Sequence, residues 1–339
     1  MKSILLFLFV CLFLAFSGKE KKLFLKPGGW PEPHYDFNKN PLSNAKIELG
    51  RALFYDPLLS RNESVSCASC HLSYTAFSHA DHSLSHGIED KIGNRNSSAL
   101  MNLAWGKSFM WDGAINHLDM QALAPITNPL EMDEKIENVV LKLKKSNIYP
   151  GLFADAYGDN KVTGERTLKS ISQFLITLVS ANSKYDSVMR KETEFTHQEK
   201  VGYALFQKNC NSCHTEPLFT HNEFETNGLP IDTALKDYGR MNITHHSSDS
   251  MKFKVPTLRN VEFSFPYMHD GRFKKLKQVL NHYTSGFQKA PGGSKKMQNP
   301  IVLSADEKAD LISFLHTLTD KSFLFNPKFG FPSHILSGK

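Results

Sequence analysis

The sequence predicts an all-α chain of two domains, and three observations carry that expectation. The pentapeptide Cys67-Ala68-Ser69-Cys70-His71 recurs as Cys210-Asn211-Ser212-Cys213-His214, 143 positions later. Apolar residues fall at helical spacing before each copy and again well after it. No run of alternating apolar and polar residues argues for a large sheet, and 339 residues suit two domains better than one.

Taken in order, residues 1–17 read as a signal peptide. Lys2 precedes an apolar run over residues 4–16, and Ala15-Phe16-Ser17-Gly18 offers a small-x-small cleavage site, so the mature chain is expected to begin near Gly18. The run is too short for a comfortable membrane span. A lipoprotein anchor at Cys11 is the alternative, weakened by bulky Val10 before it. The first domain is expected over residues 18–190. Asn44 to Tyr55 forms its amphipathic approach helix, with Leu49, Ala52 and Leu53 as the apolar side. Residues 164–189 form one longer closing helix, with Leu168, Ile171, Phe174, Leu175 and Leu178 at helical spacing. The second domain, residues 191–320, repeats the plan. An approach helix spans 197–209, and a closing helix over 304–319 opens with the capping-box pattern Ser304-x-x-Glu307 before Leu311, Phe314 and Leu315. Long connecting loops join these parts, and residues 321–339, rich in Phe and Pro, are expected to pack as an irregular tail.

The repeated motif is the attachment signature of a c-type haem. Two closely spaced thiols form thioethers to the haem vinyl groups, and the adjoining imidazole ligates the iron. The alternative, a CxxC redox or half-zinc site beside an incidental histidine, would have to arise twice. Four of the five cysteines lie in the two motifs, so no mature cysteine remains for a structural disulfide. The layout is therefore that of two cytochrome c-like domains, each with one covalently attached haem: Cys67, Cys70 and His71 hold the first, and Cys210, Cys213 and His214 the second. Covalent attachment of this type belongs outside the inner membrane, which matches an exported, periplasmic protein. The net charge of +6 is too mild to imply nucleic acid. The scattered lysines are ordinary solvated surface, with steering of an acidic electron-donor protein as a further use.

From Asn40 to about Leu318 the sequence resembles the bacterial di-haem cytochrome c peroxidases and their relative, the methylamine-utilisation (MauG-type) enzyme that completes a tryptophan-derived quinone. The resemblance rests on Leu49-Gly50-Arg51-x-Leu53-Phe54-Tyr55-Asp56-Pro57, Gly93-x-Arg95-Asn96, Trp111-Asp112-Gly113, Leu130-Glu131-Met132, Pro217-Leu218-Phe219-Thr220, Val255-Pro256-Thr257-Leu258-Arg259-Asn260 and Pro266-Tyr267-Met268-His269-Asp270-Gly271, in that order. It implies roles that the bare residues do not. Glu131 matches the acid/base that moves a proton between the two oxygens of hydrogen peroxide, and Gln121 its companion amide. Trp111 matches the tryptophan of the electron path between the haems. Asn96, with backbone carbonyls of Ser264 and Pro266, matches an interfacial calcium site, oxygen ligands suiting that hard ion. His86 is the best match to a loop histidine that caps the peroxidatic iron, although its register against Arg95-Asn96 is longer than in the family. His79 and His82 are expected to be solvated.

At the second haem the sequence departs from the peroxidase pattern. Family peroxidases carry a methionine seventeen residues after the calcium-site proline, and counting from Pro266 reaches Tyr283. The methylamine-utilisation enzyme has a tyrosine there. A phenolate ligand stabilises ferric iron and lowers its potential, whereas a thioether raises it. Met268 and His282 are the fallback ligands. The resemblance thus implies a peroxidase that reduces hydrogen peroxide with electrons from a small cytochrome c or cupredoxin. The alternatives are a MauG-like oxidase acting on a protein or small molecule, and a di-haem electron carrier that is not an enzyme. Family members are commonly homodimers.

Overall fold

A computed structural model describes residues 23–288 and 299–337. The expected signal peptide and Cys11 lie outside these residues. The described chain is mostly helical with little sheet. Its eight longer helices are α1 (Asn44–Tyr55), α2 (Ile136–Lys145), α3 (Tyr149–Tyr157), α4 (Gly164–Thr177), α5 (Lys184–Met189), α6 (His197–Asn209), α7 (Leu276–Asn281) and α8 (Ala305–His316). Strands β1 (Phe224–Glu225) and β2 (Phe253–Lys254) pair antiparallel, with Phe224 opposite Lys254 and Glu225 opposite Phe253.

In each half an approach helix crosses a closing helix: α1 lies on α4, and α6 on α8. Capping fixes where these helices begin. The Ser43 hydroxyl accepts from the Lys46 N–H at the start of α1, and Ser304 and Glu307 form the reciprocal box that opens α8. Glycine lets the pairs approach. A Cβ on Gly50 of α1 would sit 1.8 Å from the Ser170 carbonyl oxygen of α4, and one on Gly202 of α6 would sit 2.0 Å from that of Asp310 in α8. Both crossings are therefore backbone against backbone.

Two apolar cores result. The first gathers Leu49, Leu53, Phe54, Phe77, Phe174 and Leu175, and the second Phe206, Phe219, Leu280, Leu311 and Phe314. Two expectations need correction. Residues 164–189 are not one helix, because α4 ends at Thr177 and α5 starts afresh from its own N-cap, Ser183, boxed with Asp186. Tertiary bonds hold the gap open: Asn102 Oδ1 accepts from the Ser180 N–H at 2.9 Å, and Asp320 Oδ2 accepts from the N–H groups of Ala181 and Asn182 at 3.0 and 2.9 Å. Nor is the tail irregular throughout. Lys321–Leu324 and Ser333–Leu336 are single helical turns, and Phe323, Leu324 and Leu336 bury themselves in the first core. In the opposite direction Tyr185 of α5, placed in the first domain by its sequence position, joins the second core.

Candidate functional site

Each haem motif opens onto its own cavity. Cys67–Cys70 is a single helical turn that follows α1, capped by Ser66 and Ser69, and it presents both thiols and His71 to the first cavity. The His71 Nδ1–H donates to the Phe77 carbonyl at 2.6 Å, which leaves Nε2 as the lone pair available to a metal. Burial pushes this imidazole down to about 4, so it is neutral at pH 7, the form that ligates. Burial also pushes the Cys67 thiol up to about 12 and that of Cys70 to about 11. A redox CxxC pair needs the opposite shift, so the burial of these thiols disfavours that alternative. The second motif repeats the arrangement. His214 Nδ1 lies 3.2 Å from the Phe219 carbonyl and 3.1 Å from that of Pro256; burial holds His214 near 4 and pushes Cys210 up to about 12.

Around the first cavity stand Glu131, Gln121 and His86. Glu131 follows the Asn128-Pro129 turn, and its Oε1 accepts from Asn128 Nδ2 at 2.7 Å. Burial raises its pKa. Gln121 ends a short turn beginning at Leu118, and its Nε2 approaches the Met110 sulfur at 3.9 Å. The His86 loop is stitched to the Glu131 loop, the Ile88 N–H donating to the Glu131 carbonyl at 2.8 Å. His86 Nδ1 meets Asp90 Oδ1 at 2.8 Å, and its ring lies over His82 with centroids 4.4 Å apart. His82 is exposed as expected. His79 is not: the bridge between Leu72 and Ser78 folds it under the His71 loop, where it is 8% exposed.

The second cavity, about 600 Å³, is bounded by Trp111, Met268, Tyr283 and the motif residues Cys210, Cys213 and His214. Ser97 lines both cavities, so they lie back to back across one residue. Its neighbour Asn96 is a hub: its carbonyl accepts from Trp111 Nε1 at 2.8 Å, its N–H donates to the His269 carbonyl at 2.7 Å, and its Nδ2 donates to the Ser83 carbonyl at 3.1 Å. Ser264 and Pro266 line the same cavity as Asn96. Tyr283 sits in a π-helical turn, His282–Gly286, that continues α7; such turns recur at functional sites. Burial first, then the Cys210 and Cys213 sulfurs, raise the Tyr283 phenol pKa, while a hydrogen bond with the Asn227 side chain opposes them.

Comparison with known proteins decides the family. A family model for di-haem cytochrome c peroxidase matches residues 44–194, and one for cytochrome c matches residues 200–319. The methylamine utilization protein MauG of Methylorubrum extorquens is 37% identical over 310 residues, covering 88% of this chain and 84% of that protein. The chain belongs to the di-haem cytochrome c peroxidase family. The cytochrome c551 peroxidase of Nitrosomonas europaea is 34% identical, covering 80% of this chain and 79% of its own. The crystal structure of a MauG-like protein associated with microbial copper homeostasis superposes with a TM-score of 0.81 at 29% identity, covering 91% of this chain and 98% of that one.

A di-haem cytochrome c peroxidase is an oxidoreductase and implies two c-type haems, and the donors here fit them. Each motif offers two thiols and one imidazole with its Nδ1 engaged by a carbonyl. Open space at the first motif is about 50 Å³, so the case there rests on its donors; the second cavity has the volume of a cofactor site. The wall of the second cavity also includes His269, 3% exposed, whose Nδ1 has no hydrogen-bond partner among the described residues. The possible sixth ligands separate by their partners. His282 is committed elsewhere, its Nε2 lying 2.8 Å from the Asn227 carbonyl. Met268 takes φ 75, and its sulfur accepts from Asn227 Nδ2 at 3.3 Å. Asn227 thus touches Met268, His282 and Tyr283, and its sequence position marked only an Asn-Gly turn.

Proposed function

We propose that this enzyme reduces hydrogen peroxide to two waters, consuming two protons and two electrons, the electrons supplied by a small periplasmic cytochrome c or cupredoxin. The observation that carries the reading is a half-buried carboxyl group, Glu131, on the wall of the cavity that holds Cys67, Cys70 and His71. A haem held by Cys67, Cys70 and His71 would supply the redox equivalents and a binding position for one peroxide oxygen. Glu131 takes the proton from that oxygen and delivers it to the leaving one, and burial brings its pKa closer to the operating pH, where acid/base exchange is efficient. Asn128 holds the carboxyl group in place, and Gln121 orients peroxide or water from the same wall. His86, on the wall of the same cavity, acts as its cap in this reading, and Trp111, whose ring donates to the Asn96 carbonyl between the two cavities, carries electrons between them. Asn96, Ser264 and Pro266, on the wall of one cavity, would supply oxygens to a Ca²⁺ ion; stripping it with a chelator is expected to slow turnover, and added Ca²⁺ to restore it.

Glu131→Gln tests the core of the proposal. Both haems should remain attached, seen as haem mass surviving denaturation, while donor-dependent turnover falls by about 10²–10⁴-fold, the usual worth of a positioned acid/base. A fully active variant would sink the assignment.

Tyr283 favours a second reading. A phenol at the second cavity, close to Cys210 and Cys213, suits a tyrosine-ligated haem of low potential, a poor electron entry point that fits oxidation of a protein or small molecule by peroxide equivalents. Turnover with a reduced cytochrome supports the first reading; reaction with peroxide without donor turnover supports the second.

A further inference from the structure

One cation stands in the wall of the second cavity. Lys254 ends β2, and its N–H donates to the Trp111 carbonyl at 2.7 Å, which fixes the residue beside the site. Among the described residues its side chain has no ion-pair or hydrogen-bond partner, and burial alone pushes its pKa down, to about 8. The carboxylate-bearing residue of this wall, Glu225, is engaged elsewhere: it sits opposite Phe253 rather than Lys254 in the strand register and lies 3.5 Å from His221. The contrast with two arginines, half-buried Arg95 and buried Arg259, is direct. Arg95 holds Asp112 and Asp237, and Arg259 holds Asp186. Lys254 is half-buried on the wall of a largely apolar cavity, and its ammonium loses water without gaining an anion once an occupant fills that space, so the cavity suits an occupant that brings its own negative charge.

A c-type haem carries two propionate carboxylates. We propose that Lys254 pairs with a propionate of the haem held by Cys210, Cys213 and His214, and that this pair keeps the haem's reduction potential up. The inference rests on the attachment reading and adds a residue to it. The sign follows from electrostatics. Without the ammonium, an uncompensated carboxylate stabilises the more positive ferric iron, so the potential falls. The same carboxylate, buried and unpaired, becomes easier to protonate, so the midpoint acquires a pH dependence that the paired group lacks.

The experiment is a spectroelectrochemical titration of the full haem-loaded chain, comparing wild type with Lys254→Met and Lys254→Arg, and with Lys254→Gln should the Met variant fail to load haem. Denatured mass is measured first: two haems per chain establish the attachment reading independently, and fewer overturn both. In the Met or Gln variant one haem should become harder to reduce by about tenfold in equilibrium constant, which is about 59 mV for one electron. Its midpoint should also vary between about pH 5 and 8 more than that of wild type. The comparison cancels contributions from Glu225 and His269 on the same wall. Lys254→Arg should retain the wild-type midpoint. An unchanged potential in the neutral variants overturns the proposal, and so does a lowered potential with no added pH dependence, because that is a field effect without a propionate partner.

Discussion

Gly87 sets the distance between the two loops that face the first cavity. A Cβ there would lie 2.1 Å from the Leu130 carbonyl oxygen and 2.6 Å from Glu131 Cα, so no side chain fits without parting the loops. Gly87→Ala should therefore cost about 1–3 kcal/mol through overpacking and lower peroxide turnover at least tenfold with haem content unchanged. Thermal melts and steady-state rates check the two halves, and normal turnover would show that the loops act independently. At this scale the sequence is only partly legible. Cys67 to His71 and Cys210 to His214 declare their chemistry because covalent attachment needs thiols and imidazole close together. Glu131 does not, since a carboxylate after an Asn-Pro turn looks like any surface residue, and only the family resemblance singles it out. Lys254 left no clear signal, because with Lys252 it alternates with Met251, Phe253 and Val255, as solvated lysines on a half-exposed strand would. Asn227 left none, because its meaning comes from three distant partners.

The two helix crossings are the elements on which both haem sites depend, since α1 leads into the first motif and α6 into the second. Their closest points are Gly50 against Ser170 and Gly202 against Asp310, backbone to backbone. Gly50→Ala and Gly202→Ala should each destabilise the loaded protein by about 1–3 kcal/mol, despite the gain in helix propensity, because the helices must separate to admit a methyl group. Chemical denaturation compares each variant with wild type, and a stabilised variant would mean that the crossing yields freely. Helices whose ends are set locally were readable: α1 and α6 run as expected, and α8 starts at its capping box. The break after Thr177 was not predicted, because neither glycine nor proline marks it and the apolar period continues through Leu178. The local clue was Ser183 with Asp186, a capping pair inside what looked like a helix interior. The decisive bonds, from Asn102 and Asp320, come from far along the chain.

Across the whole molecule, neither half closes its core from its own stretch of sequence. Phe323, Leu324 and Leu336 return from the C-terminal end to the first core, while Tyr185 crosses into the second. Linear domain boundaries cannot express this exchange. Arg259 ties the exchanged parts together. It is fully buried, pairs through two nitrogens with Asp186 at 2.9 and 2.8 Å, donates to the Pro217 carbonyl at 2.8 Å and lies 4.6 Å over the ring of Trp30 from the first core. Burial alone would raise the Asp186 pKa, but the hydrogen bonds and charge of Arg259 outweigh it and hold the carboxyl group below its ordinary value. Asp186→Asn leaves the guanidinium uncompensated and should cost about 3–5 kcal/mol at pH 7. The sign with pH is fixed by that depressed value. The carboxylate contributes its full stability above the unfolded-state pKa of about 4 and loses it as pH falls through the folded-state value. The gap between wild type and Asp186→Asn in urea unfolding should therefore narrow from pH 7 to pH 3, other carboxylates titrating alike in both. A gap that stayed constant would mean that the variant loses packing rather than charge, and that the Asp186 and Arg259 pair is not what joins the two cores.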